Sequence, residues 1–199
     1  MMKKVYVSLS LLLAPLLGAG QIYHAGESAP TVSSVKHWEA SLGWQTSGQS
    51  VQGRLGERLF DSADGLSLRG LYYPTAWLGV GLEGVWFDKK DFPVENTYKD
   101  VRYGVISKWV LTPQTKPAVY LLLGAGLRKQ RTSYMHTVNN TANTGYGLTG
   151  LGLELDIYRG IFIQAEGQAL YNTRRKVDNF TQLAHRLELS VALRGGVRF

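Results

Sequence analysis

Residues 187–199 run Leu187-Glu188-Leu189-Ser190-Val191-Ala192-Leu193-Arg194-Gly195-Gly196-Val197-Arg198-Phe199. The odd positions are Leu, Leu, Val, Leu, Gly, Val and Phe, whereas the even ones include Glu188, Ser190, Arg194 and Arg198. Apolar side chains at every second position have the period of a β-strand, whose successive residues point to opposite faces. A helix would repeat every three or four. The stretch therefore predicts a strand with one charge-free face and one charged face.

The same alternation recurs upstream and predicts seven more strands, at Trp38–Gln45, Leu66–Tyr73, Leu78–Trp86, Val101–Leu111, Val119–Arg128, Thr149–Ile157 and Ile161–Tyr171, with the last strand at Arg186–Phe199. Eight strands, an even number, each about ten residues long, match the count and length of the smallest membrane barrels. Long connections (46–65, 88–100, 129–147 and 172–185) alternate with short ones (74–76, 112–117 and 158–160). Such barrels have long extracellular loops and tight periplasmic turns. Both ends of the barrel chain then fall on the periplasmic side. The expected fold is all-β, an eight-stranded antiparallel up-and-down transmembrane barrel over residues 36–199.

Alternation alone would also fit a soluble barrel with its apolar face inside. Size decides between them. The interior of an eight-stranded barrel is only wide enough for side chains to fill it, so it cannot hold most of the chain's Leu, Val, Trp and Tyr. The opposite face carries Gly43, Gly79, Gly81, Gly104, Gly124, Gly126, Gly150, Gly152 and Gly196, which suits the concave side. No position on the apolar face is charged, as expected where Arg or Lys at the bilayer midplane would cost roughly 2–4 kcal/mol. The bulky face is expected to meet lipid. Aromatic girdles follow from the same placement: Trp38, Tyr72, Trp109 and Phe199 near the periplasmic ends, and Trp44, Trp86, Tyr103 and Tyr171 near the others.

The alternating strands, the final strand closed by Val197 and Phe199, and an N-terminal export segment together resemble the small outer-membrane β-barrels of Gram-negative bacteria, of the OmpA-barrel and OmpX type. The resemblance covers essentially the whole chain after the export segment. It implies insertion by the barrel-assembly machinery, with the C-terminal strand as its signal, and contact with outer-membrane lipid and lipopolysaccharide. An OmpA-type peptidoglycan-binding domain is not expected, since Phe199 closes the sequence.

The export segment is residues 1–20. Lys3 and Lys4 precede an apolar run from Val5 to Leu17, and Gly18-Ala19-Gly20 supplies small residues for cleavage, the grammar of a secretory signal peptide. Residues 21–35, with Ala25, Gly26, Ser28, Pro30, Ser33 and Ser34, read as a flexible periplasmic leader.

Composition narrows the function classes. The chain of 199 residues has 44% hydrophobic residues and no cysteine. Disulfide scaffolds, thiolate zinc sites and acyl-anchored lipoproteins are excluded. Beyond the N-terminus no apolar run reaches 18 residues, which excludes a helical multi-span protein. The net charge of +7 hints at nucleic acid. Loss of Lys3 and Lys4 lowers it to +5, and export removes the chain from nucleic acid altogether.

The inward face carries Glu39, Glu83, Glu154, Asp156, Glu166 and Glu188 against Arg69, Arg102, Lys108, Arg128, Arg186, Arg194 and Arg198. Unpaired buried charge is prohibitively costly, so the near-balance predicts ion pairs acting as struts in a plugged, polar interior. A narrow ion or solute pore is the alternative. Lys129 and Arg131 on the third loop and Arg174, Arg175 and Lys176 on the fourth form a basic outer rim suited to lipopolysaccharide phosphates. A lipid-A-modifying enzyme is tested by the histidines. The deacylase pattern needs His-x-Ser, but His24, His37, His136 and His185 are followed two residues on by Gly26, Glu39, Val138 and Leu187. A transferase-like rim set would have to come from His136 with Ser133 or His185 with Asp178. No catalytic residue, metal site or cofactor is expected. The role expected is structural or interactive, through a surface or envelope protein partner.

Overall fold

The computed structural model describes residues 38–48, 51–52, 58–60, 62–91, 96–134, 138–173, 182–183 and 187–199. Residues 1–37, with the expected signal peptide and leader, lie outside the described residues, as do His136, His185, Arg174, Arg175, Lys176, Asp178 and Arg186.

The strands are β1 (Trp38–Ser47), β2 (Val51–Gln52), β3 (Arg58–Phe60), β4 (Ala63–Thr75), β5 (Leu78–Asp91), β6 (Asn96–Val110), β7 (Ala118–Tyr134), β8 (Val138–Tyr158), β9 (Ile161–Asn172), β10 (Gln182–Leu183) and β11 (Leu187–Arg198). Eight of them close an all-antiparallel barrel in the order β1-β4-β5-β6-β7-β8-β9-β11, and β11 returns to β1. The short β2 lies between β3 and β10 in a separate small sheet, which links the connection after β1 to the one after β9.

Register fixes how the barrel is sheared. In one direction Trp44 pairs with Leu66, Leu66 with Trp86, Trp86 with Val101, Val101 with Lys129 and Lys129 with Asn143. In the other direction Trp44 pairs with Leu193, Leu193 with Ala165 and Ala165 with Leu153. The two paths reach β8 at residues 143 and 153, a displacement of ten. A staggered closure of this kind tilts the strands about 35–45° from the barrel axis.

The barrel is inside-out relative to a soluble domain. Leu82, Leu189 and Leu42 are 65%, 64% and 59% exposed, while Arg69, Arg102 and Lys108 are 0–1% exposed. Glycines make room inside for a few large rings. A methyl group on Gly152 would overlap the Tyr120 ring, and one on Gly196 the Phe162 ring, so both aromatics lie flat across a bare stretch of wall. Exposed Trp38 and Tyr72 pack at 5.1 Å at the turn end. Trp77, in the Ala76–Trp77 turn, packs on Trp109 at 5.4 Å and joins that belt. The Arg159–Gly160 hairpin turn places both residues at positive φ, 36° and 93°, as a two-residue turn of the favoured twist requires.

Two expected loops are largely strand. β5 continues to Asp91 and β6 begins at Asn96, while β7 runs to Tyr134 and β8 begins at Val138. The 21 residues of β8 are about twice the 9–11 that cross a bilayer. Alternation stops before the strands do, because an apolar outward face is needed only against hydrocarbon. Above it the outward positions become Asp88, Lys99, Lys129, Arg131, Thr141 and Asn143, while the backbone ladder carries on.

Candidate functional site

Three layers of charge cross the lumen, each built from two acids and two bases drawn from three or four strands. At the turn end, Lys108 of β6 bonds Glu39 of β1 at 3.1 Å and also pairs with Glu154 of β8. Arg198 of β11 reaches the same two carboxylates, at 3.1 Å to Glu39, and extends to Asp156 at 3.1 Å. Tyr73 donates its hydroxyl to Glu39 at 2.7 Å, and Gln164 donates to Glu154 at 2.7 Å and Glu39 at 3.1 Å. Faces of the lumenal rings back the cations, with Lys108 4.7 Å from the Tyr120 ring and Arg198 4.7 Å from Phe162.

In the middle layer Arg69 of β4 forks between Glu83 of β5 at 2.6 Å and Glu166 of β9 at 2.8 Å. Arg194 of β11 bridges the same pair, at 3.1 Å to Glu83 and 3.2 Å to Glu166. Tyr120 and Gln168 each donate to Glu166 at 2.8 Å. Arg194 also donates to Ser67 of β4, tying β11 to β4 over the intervening β1.

The upper layer joins Asp100 and Arg102 of β6, Arg128 of β7 and Glu188 of β11. Arg128 contacts Asp100 at 2.6 Å and Glu188 at 2.8 Å, and Arg102 meets Asp100 at 3.0 Å as well as Glu188. Ser47 donates to Glu188, Asn172 accepts from Arg128 at 2.9 Å, and the Arg102 guanidinium lies 4.5 Å from the Phe87 ring. Planar guanidinium forks suit this work because each can hold two carboxylates at once.

Every quartet is formally neutral. Breaking a buried pair by removing one partner costs about 3–5 kcal/mol, because it strands the other charge. The layers therefore act as cross-braces between walls.

Of the inward residues named from sequence, Glu39, Arg69, Glu83, Arg102, Lys108, Arg128, Glu154, Glu166, Glu188, Arg194 and Arg198 come together in the quartets. Asp156 is different: it sits at the mouth with a 46% exposed side chain. There a cavity of about 240 Å³ lies beneath the 112–117 connection. Asp100, assigned to a loop by sequence, is fully buried and holds two arginines. Its parity with Arg102, Gly104 and Lys108 was the signal for it. Gln45, Tyr73, Tyr120, Gln164 and Gln168 also complete the network, and their even spacing from the inward charges of their own strands (Glu39, Arg69, Arg128 and Glu166) marks their face but not their partners. Lys129 and Arg131 are not in a loop. They stand on the outward face of β7, because that strand runs past them. Trp44, Trp86, Tyr103 and Tyr171 are exposed on the outer wall toward the loop end, and Phe199 is exposed at the other end.

The attachment invasion locus protein Ail of Yersinia pestis superposes with a TM-score of 0.56 at 18% identity, over 83% of this chain and 100% of that one. Neisserial surface protein A superposes at 0.57 and 16% identity, over 81% of this chain and 97% of that one. This chain has the fold of the small outer-membrane β-barrels. A second structure of Ail, in complex with the heparin analogue sucrose octasulfate, superposes at 0.54 and 17% identity over 82% of this chain. No protein-family model and no curated protein sequence matches the chain.

Proposed function

We propose that the protein is a closed outer-membrane barrel with a structural or surface-interaction role, in adhesion or envelope integrity. The supporting observation is the set of three neutral quartets, which brace the lumen instead of lining an open path. The tall wall formed by β5 to β8 and the loop-end connections would then be the working surface. Ail, named for attachment and invasion, is one neighbour in fold, and its complex with a polyanion is in keeping with a basic surface that meets anionic partners. Lipopolysaccharide is the nearest such partner, through Lys129 and Arg131 and the fourth-loop bases Arg174, Arg175 and Lys176. Export would use residues 1–20 as a cleaved signal peptide, and assembly would read Val197 and Phe199.

Planar-bilayer recording tests the braced reading. The purified barrel should be silent. Stable openings abolished by neutralising Glu83 or Arg102 would overturn it in favour of a narrow pore. Mass spectra of lipid A from cells with and without the protein should be identical, and a difference would restore an enzymatic role.

A further inference from the structure

At the loop end the outer wall offers shape as well as charge. Four strands bring Trp44 of β1, Leu66 of β4, Trp86 of β5 and Val101 of β6 into one row. Trp86 lays its indole down over Gly84, where a Cβ would come within 2.8 Å of the ring. Between the two indoles, above Leu66, lies a trench of about 490 Å³. Its sides are apolar, and Asp64, Asp88 and Lys99 line the end nearest the loops.

The polar end is divided by strand. Lys99 of β6 stands opposite Arg131 of β7, and Lys129 lies one row below, beside Val101. On the other side Asp88 of β5 stands opposite Lys99, and Asp64 of β4 comes one residue before Gly65, the partner of Phe87. All five side chains are exposed. Bases thus occupy the β6–β7 side and carboxylates the β4–β5 side. Asp88 and Lys99 pair at 3.5 Å with both side chains more than half exposed, so the pair opens at small cost.

We propose that this trench seats the acylated phosphosugar of one lipopolysaccharide molecule. The inference rests on the surface contact with lipopolysaccharide proposed above and gives it a place and a recognition chemistry. One acyl chain lies over Leu66 between the two indoles. A phosphate of the same molecule meets Lys99, Lys129 and Arg131, and hydroxyls of its sugar donate to Asp64 and Asp88. Two carboxylates repel a bare phosphate but accept hydrogen bonds from hydroxyls, so the polar end selects a phosphate carried on a sugar. The acyl chain is in hydrocarbon with or without the seat, so the trench adds only van der Waals contact and shape. The headgroup carries the preference.

Native mass spectrometry of the folded barrel in detergent, which counts bound lipids, makes the test. The probes are bisphosphorylated lipid A, lipid A stripped of its phosphates, and phosphatidic acid, which has acyl chains and phosphate but no sugar. The barrel should retain one bisphosphorylated lipid A about three- to tenfold better than either other probe, the scale of two or three exposed ion pairs. Lys99→Gln/Arg131→Gln should lower that retention to the level of the dephosphorylated form. Asp64→Asn/Asp88→Asn should erase the preference over phosphatidic acid. Leu66→Phe adds bulk on the trench floor without touching a charge, and should cut retention about two- to fivefold through lost contacts. Heat-modifiable gel mobility checks that each variant is folded. Calorimetry with deacylated lipopolysaccharide, which keeps its phosphates and sugars, tests the broader contact by itself: no binding there would sink the lipopolysaccharide reading. With that binding shown, equal retention of the three lipids, or retention of lipid A that survives both Leu66→Phe and Lys99→Gln/Arg131→Gln, would overturn the seat and leave the broader contact standing.

Discussion

Replacing Glu166 by Gln keeps the shape of the middle quartet and removes one of its two negative charges. Glu166 now accepts from Arg69, Arg194, Tyr120 and Gln168, and its side chain is fully buried. In the variant Arg69 and Arg194 share only Glu83, so a +1 charge is left inside the barrel. Stranding a buried charge costs about 3–5 kcal/mol. With a urea slope of about 2 kcal/mol per molar, the unfolding midpoint in vesicles should fall by roughly 1.5–2.5 M. Arg194→Gln should cost a similar amount. The double variant Glu166→Gln/Arg194→Gln restores neutrality, leaving Arg69 with Glu83, and should lose less than the sum of the singles by about 0.5–3 kcal/mol. Heat-modifiable gel mobility gives the folded fraction, and urea titration gives the midpoint. A single-variant loss below about 1 kcal/mol, the scale of an exposed pair, or strict additivity would refute the view of each layer as a coupled, neutral unit.

Overfilling the wall gives a second test: Gly152→Val drives side-chain atoms into the Tyr120 ring and should cost about 1–3 kcal/mol, measured by the same titration and partly recovered by Tyr120→Leu. On the outer face, Leu82→Arg in the apolar band should cost about 2–4 kcal/mol, whereas Lys129→Gln above it should change the midpoint little. Equal effects at the two sites would misplace the hydrocarbon boundary. Topology is read by a membrane-impermeant maleimide on intact cells. Thr141→Cys in the projecting part of β8 should label and Arg159→Cys in the tight turn should not, and labelling at Arg159→Cys would reverse the orientation.

The eight strands and their outward face were legible because alternation is a property within each strand. Leu187 to Phe199 show their two faces with no knowledge of a neighbour. Strand length was less legible. The stretches from Lys129 to Tyr134 and from Val138 to Gly147 remain strand after their outward residues turn polar, so a hydrophobic period marks only the part that meets hydrocarbon. Asp100 lies in strand beyond the end of the hydrophobic alternation for the same reason, although its parity matches Lys108.

Partner choice had no sequence signal. Glu39 meets Arg198 across 159 positions of chain and Arg69 meets Glu166 across 97. Nothing local distinguishes these pairs from any other acid and base on the inward face. Sequence by itself determined that the chain makes eight amphipathic strands, which face is apolar, and that inward charges nearly balance. Tertiary structure decided how those charges are divided. Closing the sheet with a displacement of ten residues sets the height of every inward side chain, so two acids and two bases fall at each of three levels. Burial then holds the inner division in place, because an uncompensated charge at any level costs more than the barrel gains from any other pairing there.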